Sequence, residues 1–478
     1  MISNRTFRIP AAVIFIVLLI LSVGVTYLMA QHGVFVGLAI AGVSVGVLFV
    51  AAVIRDYRVG FYTVFFLGIF MFYIDRLADL TFPMGTVYDA LIGLTFLALL
   101  ADSRGRDWST FKNPVTIMLL ILIGYQVLQL FNPSANSPVA WLVSLRNNIA
   151  FLIYVICFHM FSSFKEVKKF AGVWLGTALI VALYGIFQKV AGLRAFEAAW
   201  MDEVPGRIKL YAVWGELRVF SFLSDPSSFG LFIGASALGS FVLAMGPFKV
   251  WQRLFFAAMT LTLLIAMSYS GTRTAIALIA AGLAFYVTIM LHNRRTLFAS
   301  MIMVAIGVML MFGPFYGSTM SRLRTTFQVS EDPSMAVRDY KRLSFQQYIQ
   351  SHPIGGGLYT VGQNGKRYAP GHELAGDWDP DSGYLLTALE TGWVGLLIFM
   401  ILFFLVILQG VNSFYALKDP VLKTYILVFL VPFMALSVAH FTQDAMFTKP
   451  VNILVYATYA LMVKIGTFER RLFSVDMV

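Results

Sequence analysis

The sequence predicts an all-α polytopic integral membrane protein with about 14 transmembrane helices (12–14) and one large external loop. Three observations predict it. Hydrophobic residues make up 59% of the 478 positions and charged residues only 12%, against about 45–50% and about 25% in soluble domains. Apolar runs close to the roughly 20 residues that cross a bilayer recur along the whole chain. Basic residues concentrate in alternate connections between these runs.

The runs lie at 10–30, 33–54, 60–74, 84–101, 114–131, 139–161 and 170–190, and then at 226–246, 254–269, 274–291, 297–312, 382–410, 424–440 and 451–466. Helices are expected because backbone groups in lipid need partners within their own segment. Outer-membrane strands would alternate with period two, which these runs do not. Several runs are short, hence the lower bound of twelve. The chain divides into a helix bundle over 1–312 (with an external loop at about 191–225), a large loop over 313–381, and further membrane helices over 382–478. Neither inverted repeats nor broken spans are visible in the sequence.

Arg5 and Arg8 precede the first run, and Arg55 and Arg58 follow the second. Lys165, Lys168 and Lys169 follow the sixth, and Lys464, Arg470 and Arg471 close the series. The positive-inside rule therefore predicts that both termini are cytoplasmic. The first run is full length with no small-residue cleavage site after it, so it is expected to be a span rather than a removable leader. The single cysteine, Cys157, excludes an internal disulfide. No P-loop, GxSxG elbow, HExxH or Rossmann fingerprint is present, which argues against ATP-driven transport by this chain alone. The net charge of +11 does not come with the basic and aromatic interleaving of a nucleic-acid groove.

Charged groups at membrane depth mark candidate substrate paths. Arg146 (WLVSLRNNIAF) sits about a turn inside its run; snorkelling and substrate binding explain it equally well. Asp89 is expected to form a structural pairing, and Asp75 and Arg76 to be interfacial. Arg218 precedes the external helix entry RVFSFLSDPSSFG, where Asp225-Pro226 supplies a cap and a first-turn proline. Arg273, in SYSGTRTA, is held at the membrane boundary by a turn with almost no loop. Three arginines near one leaflet suggest an anionic ligand resident there, clamped by planar guanidiniums.

The large loop adds Arg338 on an amphipathic stretch at 337–350, then His-Pro-Ile-Gly-Gly-Gly at 352–357. Gly355, Gly356 and Gly357 form either an anion-binding nest or a plain turn. His372, Glu373, Asp377, Asp379 and Asp381 follow, just ahead of the next span. DWDPD half resembles the start of an EF-hand. Pro380, Ser382 and Ala388 depart from that pattern, so no metal is expected.

The order of these segments resembles the O-antigen ligase and Wzy-type polysaccharide polymerase superfamily, from about Leu217 to Leu397: RVFSFLSDPSSFG, SYSGTR, a large loop with VRDYKRLSFQQYIQ and HPIGGG, then the exit helix DSGYLLTALETGWVGLL. The resemblance implies a GT-C-like helical fold in the bacterial inner membrane, with the large loop in the periplasm. It implies glycan transfer from an undecaprenyl diphosphate-linked oligosaccharide, with no cofactor and no metal. Partners would be membrane lipid, a growing polysaccharide acceptor and other polysaccharide-assembly proteins, and no nucleic acid. Arg218 and Arg273, with Arg338, match the family's diphosphate-binding arginines, and Arg146, the three glycines and Tyr384 would help to bind substrate. Ligases commonly carry a His-Asn pair before the exit-helix tyrosine; Asp381-Ser382 stands here before Gly383-Tyr384. That departure favours a polymerase, with Asp381 or His372 as the base. A ligase that loads lipid A core, and a flippase or secondary transporter, are the alternatives.

Overall fold

The computed structural model describes residues 33–78, 83–102, 111–213, 215–291 and 345–475, with isolated positions at 22–31 and 294–301. The expected spans at 10–30 and 297–312, and the candidate Arg338, lie wholly or mostly outside the described residues. The chain is a multi-pass helical membrane protein. Among the described residues, ten helices are long and apolar enough to cross a membrane, and two shorter apolar stretches, Ala39–Arg55 and Arg273–Ile289, accompany them.

In chain order the elements begin with α1 (Val34–Arg55), α2 (Tyr57–Ala78), α3 (Met84–Ala101) and α4 (Pro114–Leu128). Next come α5 (Pro138–Asn147), α6 (Phe151–Met160) and α7 (Phe164–Ala191). A small insertion follows: α8 (Ala195–Asp202), α9 (Arg207–Tyr211), and the hairpin β1 (Ala212–Val213) and β2 (Glu216–Leu217), paired antiparallel. Then come α10 (Pro226–Met245), α11 (Val250–Ser268) and α12 (Arg273–Ile289). The cap contains α13 (345–351) and α14 (Gly362–Tyr368), and the chain continues through α15 (Gly383–Ala416), α16 (Pro420–Ala439) and α17 (Val451–Val475).

Helix starts follow the cap chemistry written in the sequence. Asp225 Oδ1 accepts from the N–H groups of Ser227 and Ser228, at 2.8 and 2.9 Å, with Pro226 in the first turn. Asn113-Pro114 and Asp419-Pro420 start α4 and α16 in the same way. Each cap satisfies N–H groups that the helix leaves open. Helix α10 is the central column, buried along most of its length against α7, α11, α12 and α16. Its small residues permit this. A Cβ on Gly282 of α12 would lie 2.3 Å from Leu238 of α10, so the backbones approach through a missing side chain.

Two spans are interrupted, where the sequence suggested continuous helices. The sixth breaks at a 3-10 turn, Asn148–Ala150, between α5 and α6. Helix α15 breaks at Gly392, whose φ of 70° no neighbouring helical residue shares. Three carbonyls next to the second break find donors outside the helix. Leu389 O accepts from Gly356 N–H and Glu390 O from Gly357 N–H, both at 2.9 Å, and Thr391 O accepts from the Tyr125 hydroxyl at 2.7 Å. A kink inside a membrane helix persists only where such partners exist. The described cap has a small core of its own, Val361, Leu374 and Leu389, flanked by the stacked pair Phe345 and Trp378.

Candidate functional site

The segment carrying Arg218 is fixed from several sides. The Gln188 amide oxygen accepts from Phe220 N–H and Ser221 N–H, and the Tyr211 hydroxyl donates to Ser224 O. Arg76, expected to be interfacial, is buried here instead. Its guanidinium donates to Ser221 O at 2.9 Å and Leu223 O at 2.8 Å, and lies over the rings of Phe220 and Trp200. Ser221 holds a left-handed φ of 54° within this frame.

Arg218 itself reaches the SYSGTR turn. Nε donates to Ser270 O at 3.0 Å, Nη2 to Thr272 Oγ1 at 3.2 Å, and Nη1 to Leu210 O at 3.1 Å. Val219 N–H donates to Tyr269 O at 2.9 Å. Thr272 is the N-cap of α12, and Arg273 is its first residue. The structure thus brings the Arg218 side chain against the turn that presents Arg273, at a helix N-terminus whose dipole favours anions.

The neighbouring Thr274 meets Thr442 through their hydroxyls at 3.0 Å. Thr442 begins a strap, residues 440–450, that crosses to a second polar region. There a cavity of about 330 Å³ opens between α3, α4, the broken sixth span, α15 and α17. It contains Arg146 and Lys449 beside Asp89, Glu390 and Asp444. Asp89 pairs with Arg146 at 2.7 Å, the structural pairing expected for it. Glu390 Oε1 accepts from Tyr359 N–H at 3.0 Å, and Tyr359 holds a left-handed φ of 60°. Asp444 is 41% exposed, but that surface opens on the cavity, and the surrounding protein pushes its carboxyl up to about 6. Burial likewise pushes the Lys449 ammonium down, with Asp89 opposing.

The other sequence candidates take varied places. Asp381 is exposed at the cap–bundle junction, one residue before the α15 N-cap Ser382, and does not line the cavity. Tyr384 donates its hydroxyl to Ser437 O at 2.7 Å and packs edge-on against His440. His372 is buried in the cap, with Nδ1 accepting from Leu374 N–H at 3.1 Å, and burial holds its pKa down. The glycine turn corrects the nest expectation. Gly355 donates its N–H to His352 O within the cap, while Gly356 and Gly357 donate to Leu389 O and Glu390 O and bind the cap to the exit helix, so these donors are not offered to an anion. Asp377 pairs with Lys366, and Asp379 accepts from Gln363 N–H. Among the described residues, no three His, Cys, Asp or Glu side chains converge to ligate a metal.

The turn with Arg273, the cap and the broken exit helix are now in place, and they form one continuous stretch. Residues 258–400 match the O-antigen ligase family, Wzy_C. The O-antigen ligase match spans 143 of the 478 residues and overlaps most of the segment whose motifs carry the superfamily resemblance. No curated protein matches the chain. Over that segment the chain is similar to a family of O-antigen ligase type. Arg218 and the strap at 440–450 lie outside the O-antigen ligase match and are joined to it by the contacts described above, and Arg76, also outside it, braces the segment that carries Arg218.

Proposed function

We propose that the protein transfers glycan repeat units from undecaprenyl diphosphate onto a growing polysaccharide, at the periplasmic face of the bacterial inner membrane, with both termini cytoplasmic. The observation that carries this is the Arg218 guanidinium bonded to the Ser270–Thr272 turn that immediately precedes Arg273 in the chain. A guanidinium fixed against a helix N-terminus that itself begins with Arg273 suits a diphosphate. It stabilises the charge that develops as the sugar C1–O bond breaks, without reorganising.

The acceptor hydroxyl oxygen attacks C1 from the opposite face. The new C–O bond forms as the diphosphate leaves with its electron pair, inverting the anomeric centre. Asp381, at the membrane surface beside the exit helix, takes the hydroxyl proton; such a base contributes about 10²–10⁴-fold. The donor is already activated, so neither nucleotide sugar nor metal is required. Arg338 belongs to this proposal as a further diphosphate contact.

The family description favours a second reading, a ligase that attaches polymer to lipid A core. Analysis of the lipid carrier in cells lacking the protein separates the two. Accumulated single repeat units support the polymerase, and accumulated long lipid-linked polymer supports the ligase. The broken helices favour a third reading, because transporters build midplane sites from such breaks. Glycan transfer by the purified protein from a lipid-linked donor excludes a pure transporter.

A further inference from the structure

The cavity between α3, α4, α15 and α17 is not lined by Arg218 or Arg273, and its chemistry differs from theirs. Three carboxylates, Asp89, Glu390 and Asp444, face two cations, Arg146 and Lys449. The closest of these pairs, Asp89 with Arg146, is internally compensated. The remainder, Glu390 and Asp444 beside the single Lys449, has no excess of cations to clamp a diphosphate. A lipid chain fits no better. The Tyr88 hydroxyl and the Asn452 side chain are polar groups buried beside each other in the wall. Hydrocarbon packed against them would offer these polar groups no partner.

What remains is a small ligand with both hydrogen-bonding groups and apolar faces. Tyr88, Tyr456 and Tyr459 supply aromatic walls, and Asn364 reaches in from the cap. The left-handed Tyr359, pinned by Glu390, is backbone strain of the kind that collects at binding sites. At about 330 Å³ the space lies at the lower end of the roughly 300–1,000 Å³ range of ligand pockets.

The geometry points to this cavity as a saccharide subsite, binding an uncharged polyhydroxylated ring while the diphosphate sits at the Arg218–Arg273 turn. This deepens the proposed transfer reaction and rests on it. The strap joins the two places: Thr442 touches the α12 start, while Asp444 and Lys449 line the cavity. The ring belongs either to the donor's first sugar or to the acceptor's end, which share the same chemistry.

The test uses the full-length protein in detergent, with two probes followed by thermal shift. One is the single repeat-unit oligosaccharide released from the host's own polymer, and the other is inorganic pyrophosphate. Wild type is expected to respond to both. Asn452→Ala and Glu390→Gln are expected to weaken the oligosaccharide response about tenfold and to keep the pyrophosphate response. Arg218→Ala is expected to do the reverse. Borohydride reduction of the oligosaccharide opens the ring that a donor presents. A response that survives reduction assigns the cavity to the acceptor, and one that is lost assigns it to the donor. Absence of any oligosaccharide response in wild type, or an unchanged one in both folded cavity variants, overturns the subsite. Loss of only the pyrophosphate response in wild type overturns the diphosphate turn and leaves the cavity assignment standing.

Discussion

Arg218 Nε donates to the Ser270 carbonyl at 3.0 Å, across 52 residues of chain, so the segment before α10 and the turn before α12 are held as one unit. Three nitrogens of this one guanidinium reach three different acceptors on that frame. A lysine has a single nitrogen and no planar fork. Arg218→Lys is therefore expected to lose about 10²-fold or more in glycan transfer, nearly as much as Arg218→Ala. Polymer yield per inserted protein in complemented cells measures it, and normal yield in both variants would refute the site.

Arg76 acts on the same segment from behind. Arg76→Met removes the donors to Ser221 O and Leu223 O while keeping much of the packing against Phe220 and Trp200. Each orphaned carbonyl costs about 1–3 kcal/mol. The variant is expected to melt several degrees lower and to lose transfer activity while its inserted amount falls less. A melting point and rate both equal to wild type would show that the clamp does not position Arg218.

Gly392 tolerates no side chain. Its φ is 70°, and a Cβ would fall 2.0 Å from Pro353 O, against a backbone with no room to move. Gly392→Ala is expected to loosen the cap and speed proteolysis between residues 345 and 382, with the helical content of the bundle retained. Wild-type protease resistance would contradict this account of the break.

Asp444 gives a pH signature. Its folded pKa, about 6, lies above the ordinary value of 3.8 because burial opposes the charge. For a raised carboxyl, the favourable balance is complete below the unfolded value and is lost as pH rises through the folded one. Wild type should thus lose stability relative to Asp444→Asn between about pH 4 and pH 6. Paired melting curves measure the gap, which should be wide at pH 7 and nearly closed at pH 4. Glu390 and His440 lie nearby, so the comparison is best repeated in Glu390→Gln. A gap independent of pH would show that the carboxyl titrates normally.

Much of the bundle was legible because hydrophobic run length and Asp-Pro or Asn-Pro caps are local signals. The joining of Arg218 to the turn before Arg273 was legible only as two motifs on one side; the contact itself depends on tertiary geometry. Arg76 was misread as interfacial because its acceptors are backbone carbonyls 145 and 147 residues away, which carry no side-chain signature. Glu390 is a lone acid inside an apolar run, and Asp444 and Lys449 fall in a connection too short to draw notice. Better signals were present in hindsight: the Asn147-Asn148 pair at one break and Thr391-Gly392 at the other, each a poor helix interior within a long hydrophobic stretch.

The union of the glycine turn with the split exit helix is made by main-chain atoms, through Gly356 to Leu389 and Gly357 to Glu390. Main-chain bonds are indifferent to side-chain identity. Residues around the adjoining chamber can therefore drift toward a new sugar while the lid stays seated. The same framework is suited to diversify its chemistry one wall at a time, without dismantling its hinge-free roof.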